Sequence, residues 1–441
     1  MNGRKSALHN DSSVTAQPAN VLPETSGLMN GELTIGGCLV SDLVNTYGTP
    51  LHIYDEAGLR AQMRRLVDGM RSRWPRSEVL FASKAAPFVA MYAIAAEEGM
   101  AIDVAGQGEI ELALAAGVDP ARMYFHGNAK TDAEITRAVE LGVGTIIIDS
   151  IDEIDRLDRL VPTGHVQHCL IRVNPGVDAE THESMNTGGS KSKFGLPLEA
   201  VVAQIERLRD HERIAIDGVH VHIGSQILNV AQFAQAVDAL ADVGGVDTYD
   251  LGGGLGVAYV ADETAPSVDD YLDTLIDAAR RNLPADAKLL IEPGRATVAR
   301  AGVTAYQAVV VKSAGQNFVA VDGGMADQLE IALTGQPFSV VIANKADAEP
   351  TGTYQIVGRQ CESGDLLVAD APLPDPQVGD IIVVPATGAY SYTMTNNYNG
   401  ALRPPIVMAR DGEARLVARR ETYGDLLRLH EPVGQIQPTA T

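Results

Sequence analysis

The sequence predicts an α/β protein: a (β/α)₈ barrel followed by a C-terminal mostly-β domain, which an N-terminal strand joins. Between residues 78 and 295, a short apolar run, a polar or Gly-rich loop and a helical pattern follow one another repeatedly. The first four runs are spaced by 22 residues, beginning near Val79, Ala101, Met123 and Thr145. About eight such units are typical of a (β/α)₈ barrel.

Four further runs complete the set, at residues 169–173, 217–223, 248–251 and 289–291, with helical patterns between them. A doubly wound open sheet is the rival architecture. Such a sheet usually has fewer strands and carries a Gly-rich fingerprint directly after its first strand. The number of repeats therefore favours the barrel, which we assign to residues 59–302.

The two ends of the chain lack this repeat. Residues 1–31 are mostly polar and show no periodicity, so we expect a disordered tail. Residues 32–58 contain a short strand and the start of a charged helix, and we expect this segment to join the C-terminal domain. Over residues 303–441, strand-like runs are separated by Gly, Pro and Asp, which predicts a β domain.

The composition excludes several classes of function. The 34 Lys and Arg residues are outnumbered by 57 Asp and Glu residues, which gives a net charge of −23 at pH 7. This excess argues against nucleic acid and anionic membranes as partners, because both attract cationic surfaces. No apolar run approaches the roughly 18–20 residues that span a bilayer. The cysteines, Cys38, Cys169 and Cys361, are far apart, which favours a reducing, cytoplasmic compartment.

Polar residues stand at nearly every predicted strand end. A barrel enzyme carries its chemistry at the C-terminal ends of its strands, whereas a purely structural barrel needs no polar groups there. The polar strand-end residues are Lys84, Asp103, His126, Asp149, Asn174, His222, Asp250 and Glu292. Their distribution predicts an active site at this end of the barrel.

Three side chains are candidates for chemistry. Lys84 follows an apolar strand, and a lysine among apolar walls has a lowered pKa and can form a Schiff base; an ordinary rim lysine is the alternative. Glu292 is expected beside Lys84 in a closed barrel, where it would pair with a protonated cofactor ring nitrogen or form a rim salt bridge. Cys361 lies in a polar turn, where a thiol either donates a proton or is inert.

Two further groups are candidates for ligand binding. The backbone N–H groups of Gly252, Gly253 and Gly254 follow a strand and can cradle a phosphate, with a flexible turn as the alternative. The loop does not match the dinucleotide pattern G-x-G-x-x-G, so a small phosphorylated ligand fits better. His220 and His222 share one strand face, but no Cys or carboxylate cluster completes a coordination set, so we predict no metal site.

Together these residues resemble the diaminopimelate decarboxylase family, which belongs to the alanine-racemase-like (fold type III) pyridoxal phosphate (PLP) enzymes, as do ornithine and arginine decarboxylases. The resemblance covers residues 47–427. It rests on segments in the same order, at residues 47–51, around Lys84, and at 125–128, 174–177, 192–195, 222–226, 252–254, 292–295, 321–325, 361–365 and 388–390. It implies the barrel and β-domain architecture and a cytoplasmic PLP-dependent carboxy-lyase.

The resemblance implies roles for individual residues. Lys84 would carry the internal aldimine with PLP, Glu292 would pair with the pyridine nitrogen, and His222 would stack on the ring. The remaining residues implied at the cofactor are Ser225, Gly252, Gly253, Gly254, Pro293, Gly294, Arg295 and Tyr390. A racemase on this fold places an arginine against the ring nitrogen, so Glu292 implies a decarboxylase.

Members of the family are homodimers in which the β domain of one subunit completes the site of the other. The resemblance therefore implies that Cys361 acts in trans as proton donor after loss of CO₂. Glu362 would act in trans on the distal ammonium of the substrate. We also expect residues 178–193, with Gly188 and Gly189, to form a lid that excludes water.

The substrate end departs from the family pattern. Family members typically carry Arg-Pro-x-Leu-Tyr after the Gly-Gly-Met run, whereas this chain has Glu330 and Thr334 in place of the arginine and tyrosine. An acidic residue repels a carboxylate and attracts an ammonium. Arg295, Glu362 and Tyr390 remain as substrate-binding candidates.

These observations leave the substrate open. The expected reaction is conversion of meso-diaminopimelate to L-lysine and CO₂, as in lysine biosynthesis. The first alternative is decarboxylation of another diamino or modified amino acid, such as lysine, ornithine, arginine or a biosynthetic intermediate. The second alternative is a PLP-binding relative without catalysis.

Overall fold

The computed structural model of the chain describes residues 19–177, 187–189 and 192–431. Of the predicted disordered tail, residues 1–18 lie outside these ranges. The prediction was wrong for residues 19–31, since Val21 and Leu22 are buried. The Arg300 guanidinium donates hydrogen bonds to the carbonyl groups of Ala19 and Leu22. Burial of Val21 and Leu22 and the hydrogen bonds from Arg300 thus hold this segment in place, although its sequence shows no periodicity.

The N-terminal segment forms a small antiparallel sheet, a helix and one further strand. These elements are β1 (Gly27–Met29), β2 (Glu32–Ile35), β3 (Cys38–Leu39), α1 (Val40–Tyr47) and β4 (Leu51–Asp55). All five residues of β4 are buried, because this strand is paired on both sides in the sheet of the C-terminal domain.

Alternating helices and strands follow. They are α2 (Glu56–Arg73), β5 (Ser77–Ala82), α3 (Val89–Glu97), β6 (Ala101–Val104), α4 (Gln107–Ala115), β7 (Met123–Phe125), α5 (Asp132–Leu141), β8 (Thr145–Ile148), α6 (Ile151–Leu160), β9 (Gln167–Asn174), β10 (Leu196–Pro197), α7 (Leu198–Arg207), β11 (Ile214–Val221), α8 (Ala231–Asp238), β12 (Thr248–Asp250), α9 (Val268–Asn282), β13 (Lys288–Ile291) and α10 (Arg295–Val298).

These strands confirm the predicted barrel. The parallel order is β5-β6-β7-β8-β9-β11-β12-β13, and β13 pairs with β5, which closes the circle. Local signals delimit the helices; for example, Thr131 and Glu134 form a capping box before α5, and Gly142 ends the helix in the left-handed region. Because all eight strands run the same way, their C-terminal ends meet at one mouth.

The C-terminal domain is mostly β-structure, as predicted. Its elements are β14 (Gly302–Ala314), β15 (Gln316–Val321), α11 (Leu329–Thr334), β16 (Val341–Ile342), β17 (Gly352–Val357), β18 (Leu366–Leu373), β19 (Ile381–Val384), β20 (Ile406–Arg410), β21 (Glu413–Ala418) and α12 (Tyr423–Leu427). The main order is β18-β17-β15-β14-β4-β20-β21, and β19 pairs with β14 and β16. The N-terminal strand β4 therefore joins this domain, as the sequence predicts.

Hydrogen bonds tie the two domains together where the chain passes between them. The Asp55 side chain, at the end of β4, accepts a hydrogen bond from the Gly58 N–H group and so caps α2 of the barrel. The Tyr54 hydroxyl donates to the carbonyl group of Gly388 in the β domain. Among the described residues, no helix is long and apolar enough to cross a membrane.

A buried histidine in β4 gives the fold a pH dependence. Burial, followed by the charge of Arg420, lowers the pKa of His52 to about 3. In the unfolded chain the residue titrates near pH 6.5, so below that pH the unfolded state binds a proton that the folded state does not. Stability is therefore lost as the pH falls from 6.5, by about 1.4 kcal/mol per pH unit for this group.

We predict that His52→Gln reduces the loss of unfolding free energy between pH 7 and pH 5 by about 2 kcal/mol. Glutamine keeps a polar atom for the Thr304 hydroxyl, which lies 3.0 Å from Nδ1 of His52. Urea unfolding of the variant and the wild type at the two pH values measures the effect. His165→Gln, at an exposed position, is the control. An equal change in both variants would contradict the assignment to His52.

Candidate active site at the mouth of the barrel

Lys84 stands at the mouth of the barrel, in the turn that follows β5. Its neighbour Ser83 is buried, whereas Lys84 itself is exposed. The chain after β13 packs closely against this turn, since a Cβ atom on Gly294 would lie 3.0 Å from the Cβ atom of Ala82. Barrel closure therefore brings the segment that begins with Glu292 beside the Lys84 turn.

The electrostatic environment of Lys84 is the opposite of the one we expected. Lys84 reaches solvent at the mouth, yet the barrel walls around its amine partly desolvate it and so lower its pKa. Tyr390, Asp103 and Glu292 outweigh this effect, so the pKa lies above its ordinary value. The prediction of a lowered pKa was wrong because Tyr390 from the β domain and acidic groups from neighbouring strand ends face this lysine. The protein on its own favours the ammonium form.

Glu292 is buried between two histidines. Its Oε2 atom lies 3.2 Å from Nε2 of His220 in a hydrogen bond, and its Oε1 atom lies 2.8 Å from Nε2 of His126. The His126 contact is close, but its N–H group is not aligned for a hydrogen bond. Burial raises the pKa of Glu292, yet the two histidines outweigh burial and hold this pKa well below its usual range.

Sequence reasoning missed this cluster. It found no carboxylate near His220, and that interpretation was wrong because β12 alone separates β11 from β13 in the barrel. The ligand atoms of His126, His220 and Glu292 lie within 4.8 Å of one another, a spacing that a metal ion also accepts. The polar residues at the strand ends were the only sign of this cluster in the sequence. The strand pairings were needed to show that the three side chains lie together.

Two more carboxyl groups lie near Glu292 and differ from it in the direction of their pKa shift. Burial raises the pKa of Asp103 well above its usual range, and the charge of Glu292 adds to the effect. The same two causes raise the pKa of Asp250, whose Oδ1 atom accepts a hydrogen bond from the Gly252 N–H group. Because Glu292 is the group held in the ionised form, the negative charge of this cluster is concentrated there.

The glycine loop after β12 packs against backbone on several sides. A Cβ atom on Gly252, Gly253 or Gly254 would lie 2.3, 2.0 or 2.4 Å from a neighbouring carbonyl oxygen. The Gly253 N–H group donates to Nδ1 of His222 at 3.2 Å, which fixes the imidazole. Burial lowers the pKa of His222 well below its usual range, so the ring is neutral. The loop and the histidine thus form one unit.

Arg295 is buried and connects several candidate residues. Its Nε atom donates to the Ser225 hydroxyl at 3.2 Å, and its Nη1 atom lies 2.8 Å from Oε1 of Glu330. The guanidinium carbon lies 4.6 Å from the centre of the Tyr390 ring. Arg295 also contacts the hydroxyl of Tyr259, a residue that no sequence motif singled out. Three of the predicted cofactor- and substrate-binding residues, Ser225, Glu330 and Tyr390, therefore converge on this guanidinium.

Three other predicted residues are placed by local hydrogen bonds. The carbonyl group of Pro293 accepts a hydrogen bond from the Thr297 hydroxyl at 2.8 Å, inside the turn after β13. The Thr334 hydroxyl donates to the carbonyl group of Glu330 and so serves the end of α11. The Tyr390 N–H group donates to the carbonyl group of Ala85, which attaches this part of the β domain to the Lys84 turn.

The structure of this single chain does not unite every predicted residue. Cys361 and Glu362 are exposed in the β domain, where the Cys361 N–H group donates to Oδ1 of Asn399 at 2.7 Å. Most of the predicted lid, residues 178–186 and 190–191, lies outside the described residues. The lid and the roles of Cys361 and Glu362 therefore stay predictions.

Comparisons with known proteins identify the family of the chain. The sequence profile described as "Pyridoxal-dependent decarboxylase, pyridoxal binding domain" matches residues 60–299. Diaminopimelate decarboxylase from Actinosynnema pretiosum subsp. auranticum is 39% identical over 432 residues, covering 94% of this chain and 97% of that protein. The enzyme of the same name from Bacillus subtilis is 38% identical over 421 residues, covering 91% of this chain and 96% of its own.

A solved structure extends the similarity to three dimensions. Diaminopimelate decarboxylase from M. jannaschii, in complex with L-lysine, matches with a TM-score of 0.85 and 28% identity, covering 94% of this chain and 98% of that one. The matched profile spans more than half of the chain, and the sequence relatives extend through the β domain. This chain belongs to the pyridoxal-dependent decarboxylases, in the diaminopimelate decarboxylase family.

Proposed function

We propose that this protein is a PLP-dependent α-decarboxylase that converts meso-diaminopimelate to L-lysine and CO₂. The observation that carries the proposal is the placement of Lys84 and the ionised Glu292 on adjoining strand ends of one barrel mouth. An amine and a carboxylate in this arrangement suit the aldehyde and the ring nitrogen of one cofactor. The substrate follows from the relatives that are named diaminopimelate decarboxylase and align over nearly the whole chain.

The residues present fit PLP. Oε1 of Glu292 is buried and receives no aligned hydrogen bond from the described residues, so it is available to a donor such as a pyridinium N–H group. Ser225, whose hydroxyl accepts a hydrogen bond from Arg295, would hold the phosphate together with the Gly252–Gly254 loop. When bound, PLP supplies an electron sink for the electron pair that loss of CO₂ releases.

The protein side of the mechanism follows from the same contacts. Lys84 would bind the cofactor covalently, and Glu292 would keep a proton on the ring nitrogen. His222, held by the Gly253 N–H group, would pack against the ring face without adding charge. Tyr390, anchored to the Lys84 turn, would close the site from the β domain.

We expect Lys84→Ala to lose covalent cofactor attachment and to reduce kcat by roughly 10³-fold or more, because the amine nucleophile is gone. Borohydride reduction followed by mass spectrometry measures the attachment, and CO₂ release measures turnover. Lys288→Ala is the matched control, since Lys288 begins β13 at the opposite end of the barrel and pairs with Glu78. Retained attachment in Lys84→Ala would refute the proposed role.

We further propose that the protein is a homodimer in which Cys361 and Glu362 enter the partner's site. Both residues are exposed on the β domain, and the described contacts of Cys361 are made within that domain. Cys361 would donate a proton after loss of CO₂, and Glu362 would receive the distal ammonium of the substrate. Cys38 and Cys169 are buried and unpaired, which supports a reducing, cytoplasmic setting.

Mixing inactive subunits tests this arrangement. Lys84→Ala and Cys361→Ala should each be inactive or slow, with little cofactor lost from Cys361→Ala. After exchange of subunits at equal concentration, activity should recover to about a quarter of the wild-type value, because half of the dimers then contain one intact site. Lys84→Ala carried through the same exchange alone is the control. Absence of recovery despite demonstrated exchange would mean that each site belongs to one subunit.

A second candidate substrate is favoured by the contact between Arg295 and Glu330. Both side chains are buried, and the Nη1–Oε1 distance of 2.8 Å means that the carboxylate neutralises the guanidinium. Oε2 of Glu330 is buried and has no hydrogen-bond partner among the described residues, so it is available to a donor. An ammonium satisfies this acceptor and a carboxylate does not. A diamino acid without a distal carboxylate, such as lysine or ornithine, is therefore the second candidate.

Relative rates of CO₂ release from meso-diaminopimelate, lysine, ornithine and arginine decide between the candidates. We expect Glu330→Gln to raise the kcat/KM ratio of meso-diaminopimelate to lysine by about 10-fold, because the negative charge that repels a distal carboxylate beside Arg295 is then removed. Glu153→Gln is the control, because it removes another buried ion pair, with Lys130, and so shows how loss of stability alone affects the ratio. An unchanged ratio in Glu330→Gln would exclude Glu330 from substrate selection.

A further inference from the structure

Two buried histidines approach the Glu292 carboxylate from different strands. His220 belongs to β11 and hydrogen-bonds Oε2, whereas His126 follows β7 and lies 2.8 Å from Oε1. The two imidazole rings meet edge to face, with centroids 5.0 Å apart. Every one of the three side chains is at least nine-tenths buried. The carboxylate is therefore fixed from both sides by neighbours that cannot easily move.

We propose that His126 and His220 are positioning residues that hold the Glu292 carboxylate toward the ring nitrogen of PLP. This inference rests on the proposed function, because it assigns a cofactor to the mouth of the barrel. Neither histidine is proposed to touch the substrate or the reacting atoms. Their role is exerted through Glu292.

The tautomer of His220 supports this role. Nδ1 of His220 is buried and has no hydrogen-bond partner among the described residues, so placing a proton there would strand a donor away from water. The proton is therefore on Nε2, where it is donated to Oε2 of Glu292. A neutral imidazole supplies this hydrogen bond without cancelling the charge of the carboxylate.

The neutral state of the two rings matters for the cofactor. Burial lowers the pKa of His126 to about 4 and also lowers the pKa of His220, so neither ring carries a charge near pH 7. A lysine or arginine in their place would neutralise Glu292 and weaken its attraction for a pyridinium. His220 satisfies one carboxylate oxygen as a donor and His126 packs against the other, and neither cancels the negative charge that remains for the ring nitrogen.

An analogue that lacks the ring nitrogen tests the proposal directly. The dissociation constants of PLP and of 1-deaza-PLP, in which carbon replaces that nitrogen, are measured by absorbance titration of the cofactor-depleted full-length protein. In the wild type we expect the analogue to bind at least about 10-fold more weakly, since a charge-assisted hydrogen bond is absent. In His220→Leu and in His126→Leu, this ratio should fall toward one.

Two other variants keep the test decisive. His220→Gln retains an N–H donor and should preserve most of the ratio of the two dissociation constants. In His126→Asn the side chain is too short to reach Glu292, so this ratio should fall. The asparagine variant therefore tests His126 even if the leucine variant does not fold. His52→Gln, at a buried histidine of the β domain, is the matched control. If both dissociation constants rise equally in the leucine and asparagine variants, the ratio is unchanged and the histidines are structural, which overturns the inference.

Failure of the proposed function gives a different result. If the wild type binds neither PLP nor its analogue, the assignment of the cofactor itself is wrong. Stoichiometric Zn²⁺ binding that is lost in His126→Leu, together with an unchanged PLP ratio, would overturn the inference by making the cluster a metal site. A ratio that falls in the leucine variants and is retained in His220→Gln supports it.

Discussion

The pairing of β13 with β5 is the interaction on which the candidate site depends. Lys84 and Glu292 are 208 residues apart in the sequence, and they become neighbours only because this pairing closes the barrel. Gly294 permits the close approach, since any side chain there would press against Ala82. Closure also creates the acidic surroundings that raise the pKa of Lys84. Geometry and electrostatics at the mouth therefore share one origin.

The β domain is attached to the barrel beside the same mouth. β4 lies between β14 and β20, so the chain enters the barrel from the β sheet and returns to that sheet at Gly302, whose partner in the register is Tyr54. The Tyr390 N–H group bonds the carbonyl group of Ala85, and the Tyr390 ring lies against Arg295. The N-terminal strand is thus part of what orients the β domain toward the mouth.

The sequence predicted local features well, and the barrel pattern also predicted that Glu292 lies beside Lys84, but the sequence did not predict which further side chains meet them. The strand spacing and the polar strand ends identified the barrel, Lys84 and Glu292, because a strand and its final residue are encoded in one short segment. The pairing of His126 and His220 with Glu292 depends on which strands lie close together across the barrel, and no local pattern encodes it. The error about Lys84 has the same cause, since its pKa is set by residues from other strands.

The charges inside the site differ from the strongly acidic balance of the whole chain. Burial and the charge of Glu292 raise the pKa values of Asp103 and Asp250, burial lowers the pKa values of the two histidines beside Glu292, and Glu330 compensates Arg295. The site residues are a small part of the 57 acidic and 34 basic residues, so most of the net charge of −23 comes from other side chains and makes the surface acidic. Such a surface attracts cationic ligands by long-range electrostatics. Selection at the mouth then depends on a few buried groups, chiefly the carboxylate of Glu330 beside the guanidinium of Arg295.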